Sequence, residues 1–196
     1  MSKLTGKVAV VAGGSAGIGQ GIAARFVAEG AQVFITGRNR ARLDKAVAEI
    51  GDNVSAIQGD ASNLTDIDRI YRTVREKVGR IDVLVVSAGF YELGTFGEIT
   101  EEHFDKTFNT NVRGVLFAVQ KALPLLVKGS SVILIGSVAS IKGFPSFSVY
   151  DASKAAVHWG SRFFPPLPTA SGCGEHTDNP TWRGEIFPVL LTTRES

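Results

Sequence analysis

Tyr150 and Lys154 lie four positions apart in the stretch SVYDASKAAVHW, so a helix there sets both on one face. That spacing suits proton transfer. A tyrosine phenol ordinarily titrates near pH 10, too high for an acid working at neutral pH, and an ammonium one helical turn away favours the phenolate. Such a pair answers the needs of carbonyl reduction, in which the oxygen gains charge as hydride arrives and must be protonated. Ser137 follows the apolar run Val132 to Ile135, which reads as a strand. A hydroxyl leaving that strand's carboxyl end could bond the same oxygen. Asn111, in NTNVRG, falls inside a helical pattern where asparagine has poor propensity, so a tertiary contact must compensate.

A second group of residues suits a phosphate. The stretch VVAGGSAGIGQ puts Gly13, Gly17 and Gly19 at the crossing from the first strand to the first helix. Glycine lets the backbone turn sharply and approach a pyrophosphate, whose charge the helix amino end faces. The spacing G-x-x-x-G-x-G differs from G-x-G-x-x-G, yet three glycines exceed what a plain strand-to-helix turn needs. After the second strand, FITGRNRARLD carries no acid between Glu29 and Asp44, and Arg38 follows Gly37 directly. An acid there would bond a ribose 2′-hydroxyl, whereas a guanidinium makes paired, charge-assisted bonds to a 2′-phosphate. The expected cofactor is therefore NADP, with NAD second. The alternative is that Arg38, Arg40 and Arg42 form an ordinary solvated helix start.

Positioning these residues requires alternating strands and helices. Short β-branched runs read as strands over Val8 to Val11, Val33 to Thr36, Val54 to Gln58, Asp82 to Val86 and Val132 to Ile135. Between them the stripe Ile18, Ile22, Phe26 runs to Gly30, and Leu43, Val47, Ile50 runs to Gly51, both expected to face the sheet. Ile67, Ile70, Tyr71, Val74 and Val78 form a third helix; Phe104, Phe108, Val112, Val115 and Val119 form a long fourth. The pattern predicts an α/β fold, a Rossmann-like doubly wound parallel sheet in three layers, α/β/α.

With 44% hydrophobic and 20% charged residues in 196, the composition is that of one globular domain with a sizeable core. A net charge of +2 gives no field that implies a nucleic acid or anionic membrane. The polar start MSKLTGK and the single cysteine, Cys173, point to the cytoplasm. Cys173 and His176 lack nearby companions for a metal site, so none is expected.

Over about the first 164 positions the chain resembles the short-chain dehydrogenase/reductase family. The resemblance rests on Gly13, Gly17 and Gly19, on Asp60 after the third strand, and on SAG at Ser87 to Gly89. It rests further on Asn111 in NVRG, Ser137, and Tyr150 with Lys154. It implies a cofactor site built from Gly13, Ser15, Gly17, Ile18, Gly19, Arg38, Asp60, Ala61, Ser87, Ala88 and Gly89 together with Tyr150 and Lys154. It also implies roles: Tyr150 as acid and base, Lys154 as its tuner and ribose anchor, Ser137 as carbonyl polariser, and Asn111 as holder of a water that relays protons to Lys154. A ketone or secondary alcohol would be the substrate, with Phe90, Tyr91, Phe144 and Phe147 near enough to wall an apolar pocket. Family members are usually dimers or tetramers. Two departures stand out: Ala12 where the family usually has Thr, and Ser87 where it usually has Asn, so the brace between the first and fourth strand ends is expected to be looser.

Residues 1–164 read as the NADP-binding domain and 165–196 as an irregular tail. Pro165 and Pro166 are expected to break the helix that carries Tyr150, and a sixth strand, a Pro-Gly turn and a last strand are not recognisable beyond them. Read one nucleotide later, EHTDNPTWRGE permits Asn-Thr followed by Pro-Gly-Ala-Val, so a shifted frame and a natural irregular tail both stay open. The functional alternative is a chain that holds NADP weakly without turnover.

Overall fold

The first strand is five residues, Val8–Ala12 (β1), and every one of them is buried. Such a strand needs cover on both faces, which is the condition of a parallel sheet flanked by helices. The computed structural model, which describes residues 2–161, meets that condition with one five-stranded parallel sheet. Its order is β3-β2-β1-β4-β5, where β2 is Gln32–Gly37, β3 Val54–Gln58, β4 Ile81–Val86 and β5 Leu126–Leu134. The order reverses between β1 and β4, and the doubly wound, Rossmann-like architecture is as the sequence implied.

Alternation along β1 divides the core in two. Val8, Val10 and Ala12 join Phe34, Leu84 and Val86 beneath helices α3 (Leu64–Val78) and α5 (Gly114–Ala122). Ala9 and Val11 join Val33, Ile35 and Val85 on the opposite face, with α1 (Gly17–Ala28) and α2 (Arg40–Ile50) packed over them. Tyr71 fastens one layer to itself: its buried hydroxyl donates to the Ala118 carbonyl oxygen at 2.7 Å, tying α3 to α5, and burial raises the pKa of the phenol. Side-chain oxygens cap three helices, Asn39 on α2, Asn63 on α3 and Thr100 on α4 (Glu101–Phe108).

Several boundaries differ from the sequence reading. β5 begins at Leu126, six residues early, because an irregular register between Ile81 and Val83 lets Leu126 pair with Ile81 before Ser131 pairs with Val83. The single long fourth helix is two helices, α4 and α5, joined by a π-helical turn over Asn109–Arg113. The wider turn shifts the buried face to His103, Thr107, Thr110, Asn111 and Val115, so Phe104 is exposed and stacks on Phe108 with centroids 4.3 Å apart. Ile18 also faces away from the sheet; Gly19 and Ala23 are the residues α1 buries. β5 is an edge of the sheet among the described residues. Pro165, Pro166, Cys173, His176 and the rest of the tail lie outside those residues. Among the described residues, no helix is long and apolar enough to cross a membrane.

Asp82 fixes where β4 meets β1. Its carboxylate accepts the Val8 amide at 2.9 Å, the Lys7 ammonium at 2.9 Å and the Arg80 guanidinium at 3.3 Å. Burial raises its pKa, but these donors outweigh burial and hold the carboxyl below its ordinary value. Asp82→Asn is therefore expected to cost about 1–3 kcal/mol in urea unfolding at neutral pH. The contribution is full above the unfolded carboxyl's pKa of about 3.9 and is lost as pH falls through the lower folded value. The wild-type advantage should thus shrink on acidification, and an equal gap at both pH values would rule out this account.

Candidate active site

Four of the five strands deliver residues to one crevice at their carboxyl ends. Gly13, Ser15 and Ile18 enter it from the turn after β1, Arg38 from the end of β2, Asp60 and Ala61 from the end of β3, and Ser87, Ala88 and Gly89 from the end of β4. Nine of the expected cofactor residues therefore share one cavity. Ala16, Thr36, Gly37, Gly59 and Thr110 line it too and were missed. Thr36, Gly37 and Gly59 follow from the same strand-end rule; Thr110 depends on the π-helical turn, which no sequence pattern announced.

The glycines are there for close approach. Gly13 has φ +83°, and a Cβ on it would sit 2.6 Å from the Ala88 amide nitrogen. A Cβ on buried Gly19 would fall on the Gly13 carbonyl oxygen. Gly17 has φ +57° with open space around it. The ends of β1 and β4 thus touch backbone to backbone, and Ser87 N donates to Ala12 O at 2.9 Å. The main chain makes this brace without the Thr and Asn side chains that Ala12 and Ser87 replace. Unlike α2, α3 and α4, α1 has no side-chain cap, so its first-turn amides open toward the crevice.

Arg38 is an exposed wall of the cavity, its carbonyl held by Gln58 Nε2 at 2.9 Å. Its neighbour Arg40 is committed to Asp44 at 2.8 Å. Asp60 turns one carboxylate oxygen onto Ser62, accepting from its amide and hydroxyl at 2.8 Å each, while Asp66 accepts the Asp60 amide at 2.8 Å. The Asp60 amide and the Arg69 guanidinium hold the Asp66 carboxyl below its usual range.

Beyond Gly89 the crevice meets α6 (Ser148–Gly160), which carries Tyr150 and Lys154 on one face. Lys154 is 7% exposed, and its Nζ donates to the Ile135 carbonyl oxygen at 3.0 Å and lies 5.8 Å from the centre of the Tyr150 ring. Burial lowers its pKa. Asn111 is wholly buried: Nδ2 donates to Phe90 O at 2.8 Å and Ser153 Oγ at 3.0 Å, and Oδ1 accepts the Phe90 amide at 2.8 Å. Those bonds are the compensation its helical position demanded. Gly89 lies between the two groups, its Cβ position 3.8 Å from both Asn111 Oδ1 and Lys154 Nζ. Ser137 closes β5's exit, its Oγ accepting the Ala139 amide at 3.2 Å. Of the four aromatics, Tyr91, Phe144 and Phe147 gather near Tyr150, while Phe90 turns away beneath Lys106, whose Nζ is 4.5 Å from its ring centre.

The profile of the family described as short chain dehydrogenase matches residues 7–162. The oxidoreductase asL5 of Sarocladium schorii is 45% identical over 159 residues, which are 80% of this chain and 64% of that protein. Galactitol 2-dehydrogenase of Agrobacterium fabrum is 35% identical over 79% of this chain and 62% of its own length. The crystal structure of a short chain dehydrogenase from Burkholderia cenocepacia in complex with NADP superposes with a TM-score of 0.78 at 36% identity, covering 82% of this chain and 67% of that one. The chain thus spans just under two thirds of the length of the two curated relatives.

The two left-handed glycines of the turn separate backbone strain from close approach. Gly13→Ala incurs both, with the nearest neighbour a rigid main chain, and is expected to lose about 2–4 kcal/mol. Gly17→Ala incurs only the first and should lose about 1–2 kcal/mol. Urea unfolding of both variants measures the difference, and equal losses would mean that the β1 and β4 ends do not touch.

Proposed function

Since the chain belongs to the short chain dehydrogenase family, we propose that it transfers hydride between NADP(H) and a carbonyl or secondary alcohol, as one domain over residues 1–164. The observation that carries this reading is Lys154. A lysine 7% exposed, with a backbone carbonyl as its hydrogen-bond partner and a tyrosine ring beside it, is costly unless its charge is used.

The crevice fits a dinucleotide on its own terms. Gly13 and Gly19 leave a cradle that any Cβ would fill, and the uncapped amino end of α1 offers amides to a pyrophosphate. Ile18, in the first turn of α1, would lie beside that pyrophosphate, with Asp60, Ala61, Ser87, Ala88 and Gly89 along the rest of the dinucleotide. Arg38, with Ser15 alongside, would take the 2′-phosphate, and Lys154 and Tyr150 the nicotinamide ribose. When bound, the nucleotide supplies or accepts the hydride.

Tyr150 donates its phenolic proton to the substrate oxygen as charge builds there, and takes it back in the reverse direction. Ser137 Oγ already accepts the Ala139 amide, so its own proton is free to bond that oxygen. Lys154 spends one N–H on Ile135 and keeps two, enough for a ribose hydroxyl and a water. Asn111 keeps one lone pair on Oδ1, on the side of Gly89 and Lys154, where it would hold the water that returns a proton to Tyr150. Exposed Phe104 on α4, Leu116 on α5 and Trp159 on α6 support a homo-oligomer.

Two measurements test the reading. Tyr150→Phe is expected to lower turnover about 10²- to 10⁴-fold, read as NADPH consumption with a panel of ketones, while NADPH affinity stays within about twofold. Near-normal turnover in that variant would exclude Tyr150 as the acid. Arg38→Ala is expected to weaken NADPH binding about tenfold and leave NADH binding unchanged, by fluorescence titration. Equal affinities for the two nucleotides in the wild type would remove the 2′-phosphate assignment.

A further inference from the structure

The segments 90–97, after β4, and 141–147, before α6, meet over Tyr150. One backbone bond joins them, Gly94 N to Ser146 O at 2.9 Å, formed with Ser146 in the left-handed region at φ +63°. Asp151 steadies the second segment by accepting the Phe144 amide at 2.9 Å. What the paired segments present is apolar: Tyr91 is 65% exposed, Leu93 58%, Phe96 87%, Ile141 71% and Phe144 36%. Leaving so much apolar surface beside a phenol is unusual unless something covers it.

The rings are ordered around that phenol. Tyr91 stacks on Phe147, with centroids 6.2 Å apart and planes 19° apart, and meets Tyr150 edge-on at 6.2 Å. Phe147 in turn meets Tyr150 at 5.9 Å and Phe144 at 6.2 Å, both nearly perpendicular. Phe147 therefore backs the Tyr91 ring, most of whose surface stays exposed. Two charged side chains belong to these segments, one paired outside them and one set against a ring of the rim. Glu92 pairs with Lys106 at 3.2 Å, and the Lys142 ammonium lies 5.5 Å from the Phe144 ring centre. A polyhydroxylated substrate needs several fixed polar partners to replace its water, and the side chains these segments set against Tyr150 are the rings of Tyr91 and Phe147.

We propose that the carbonyl compound this site takes is planar and apolar, an aryl or conjugated ketone, and that Tyr91 selects it by stacking beside Tyr150. This inference rests on the hydride-transfer reading above and names its substrate class. It sets this chain apart from the relative named for galactitol, a polyol.

The test compares acetophenone, methyl cyclohexyl ketone and dihydroxyacetone with the full chain and NADPH. The wild type is expected to prefer acetophenone over dihydroxyacetone at least tenfold in kcat/KM. Tyr91→Ala should lower the ratio of acetophenone to methyl cyclohexyl ketone about fivefold, carried by KM, and Tyr91→Phe should restore it. A binding measurement runs in parallel: saturation-transfer NMR of acetophenone against the Tyr150→Phe protein with NADP+, with and without Tyr91→Ala. Loss of the acetophenone signal in the Tyr91→Ala background supports the proposal even if no ketone is turned over, in which case the hydride-transfer reading alone falls. Preference for dihydroxyacetone, acetophenone binding indifferent to Tyr91→Ala, or an equal fall in kcat for all three ketones would overturn it.

Discussion

The buried amide of Asn111 is the interaction on which the site depends. It belongs to the connection between α4 and α5, yet it grips both polar groups of Phe90 on the turn after β4 and the hydroxyl of Ser153 on α6. Three elements with no covalent reason to meet are thereby held around one side chain. Phe90 follows Gly89, which lines the crevice, and Ser153 precedes Lys154. A buried amide with unmade bonds costs about as much as several made ones contribute, so these bonds form together or the region opens. The cavity wall and the Tyr150 helix consequently share a single anchor.

Electrostatics divides the same region into a wet half and a dry half. Around the mouth, Arg38 and Asp60 are in reach of solvent and can meet a charged ligand without much desolvation. Further in, Lys154 has lost most of its water, and its charged form is disfavoured by burial. Its preference is for an environment richer in acceptors than one carbonyl. A hydroxyl-bearing ligand that reached past Gly89 to Lys154 would relieve that need and so link occupancy of the crevice to the ionisation of the interior.

Much of this arrangement was legible in the residues. The inner strands β1, β2 and β4 are buried on both faces and so have near-continuous apolar runs, while the edge strands β3 and β5 show shorter ones; the start of β5 was obscured, because Gly129 and Ser130 within it look like a turn. Gly13 and Gly19 stood out because glycines at a strand-to-helix crossing mark close approach, Lys154 through its spacing from Tyr150, and Ser87 through the family resemblance. What sequence periodicity could not reveal was the fourth helix. Phe104, Phe108 and Val112 repeat every four residues and imitate a core stripe, whereas the true buried face follows smaller and polar residues, Thr107, Thr110 and Asn111. A 3.6-residue template has no means of registering one wider turn. Likewise, Phe90 was grouped with Tyr91 by adjacency, although successive residues of an extended segment point to opposite sides.

That wider turn has a consequence for how the gene can vary. Each residue of an α-helix advances the following ones by about 100° and 1.5 Å. Removing one codon between Thr107 and Gly114 would restore ordinary helical winding, at the cost of swinging α5 round until Val115, Ala118 and Val119 leave the sheet, or α4 until His103 and Thr107 do. Amino-acid replacements on the outer surface of these helices are absorbed locally, but the count of residues between them is not negotiable. In this stretch the number of residues is as tightly constrained as the identity of Asn111.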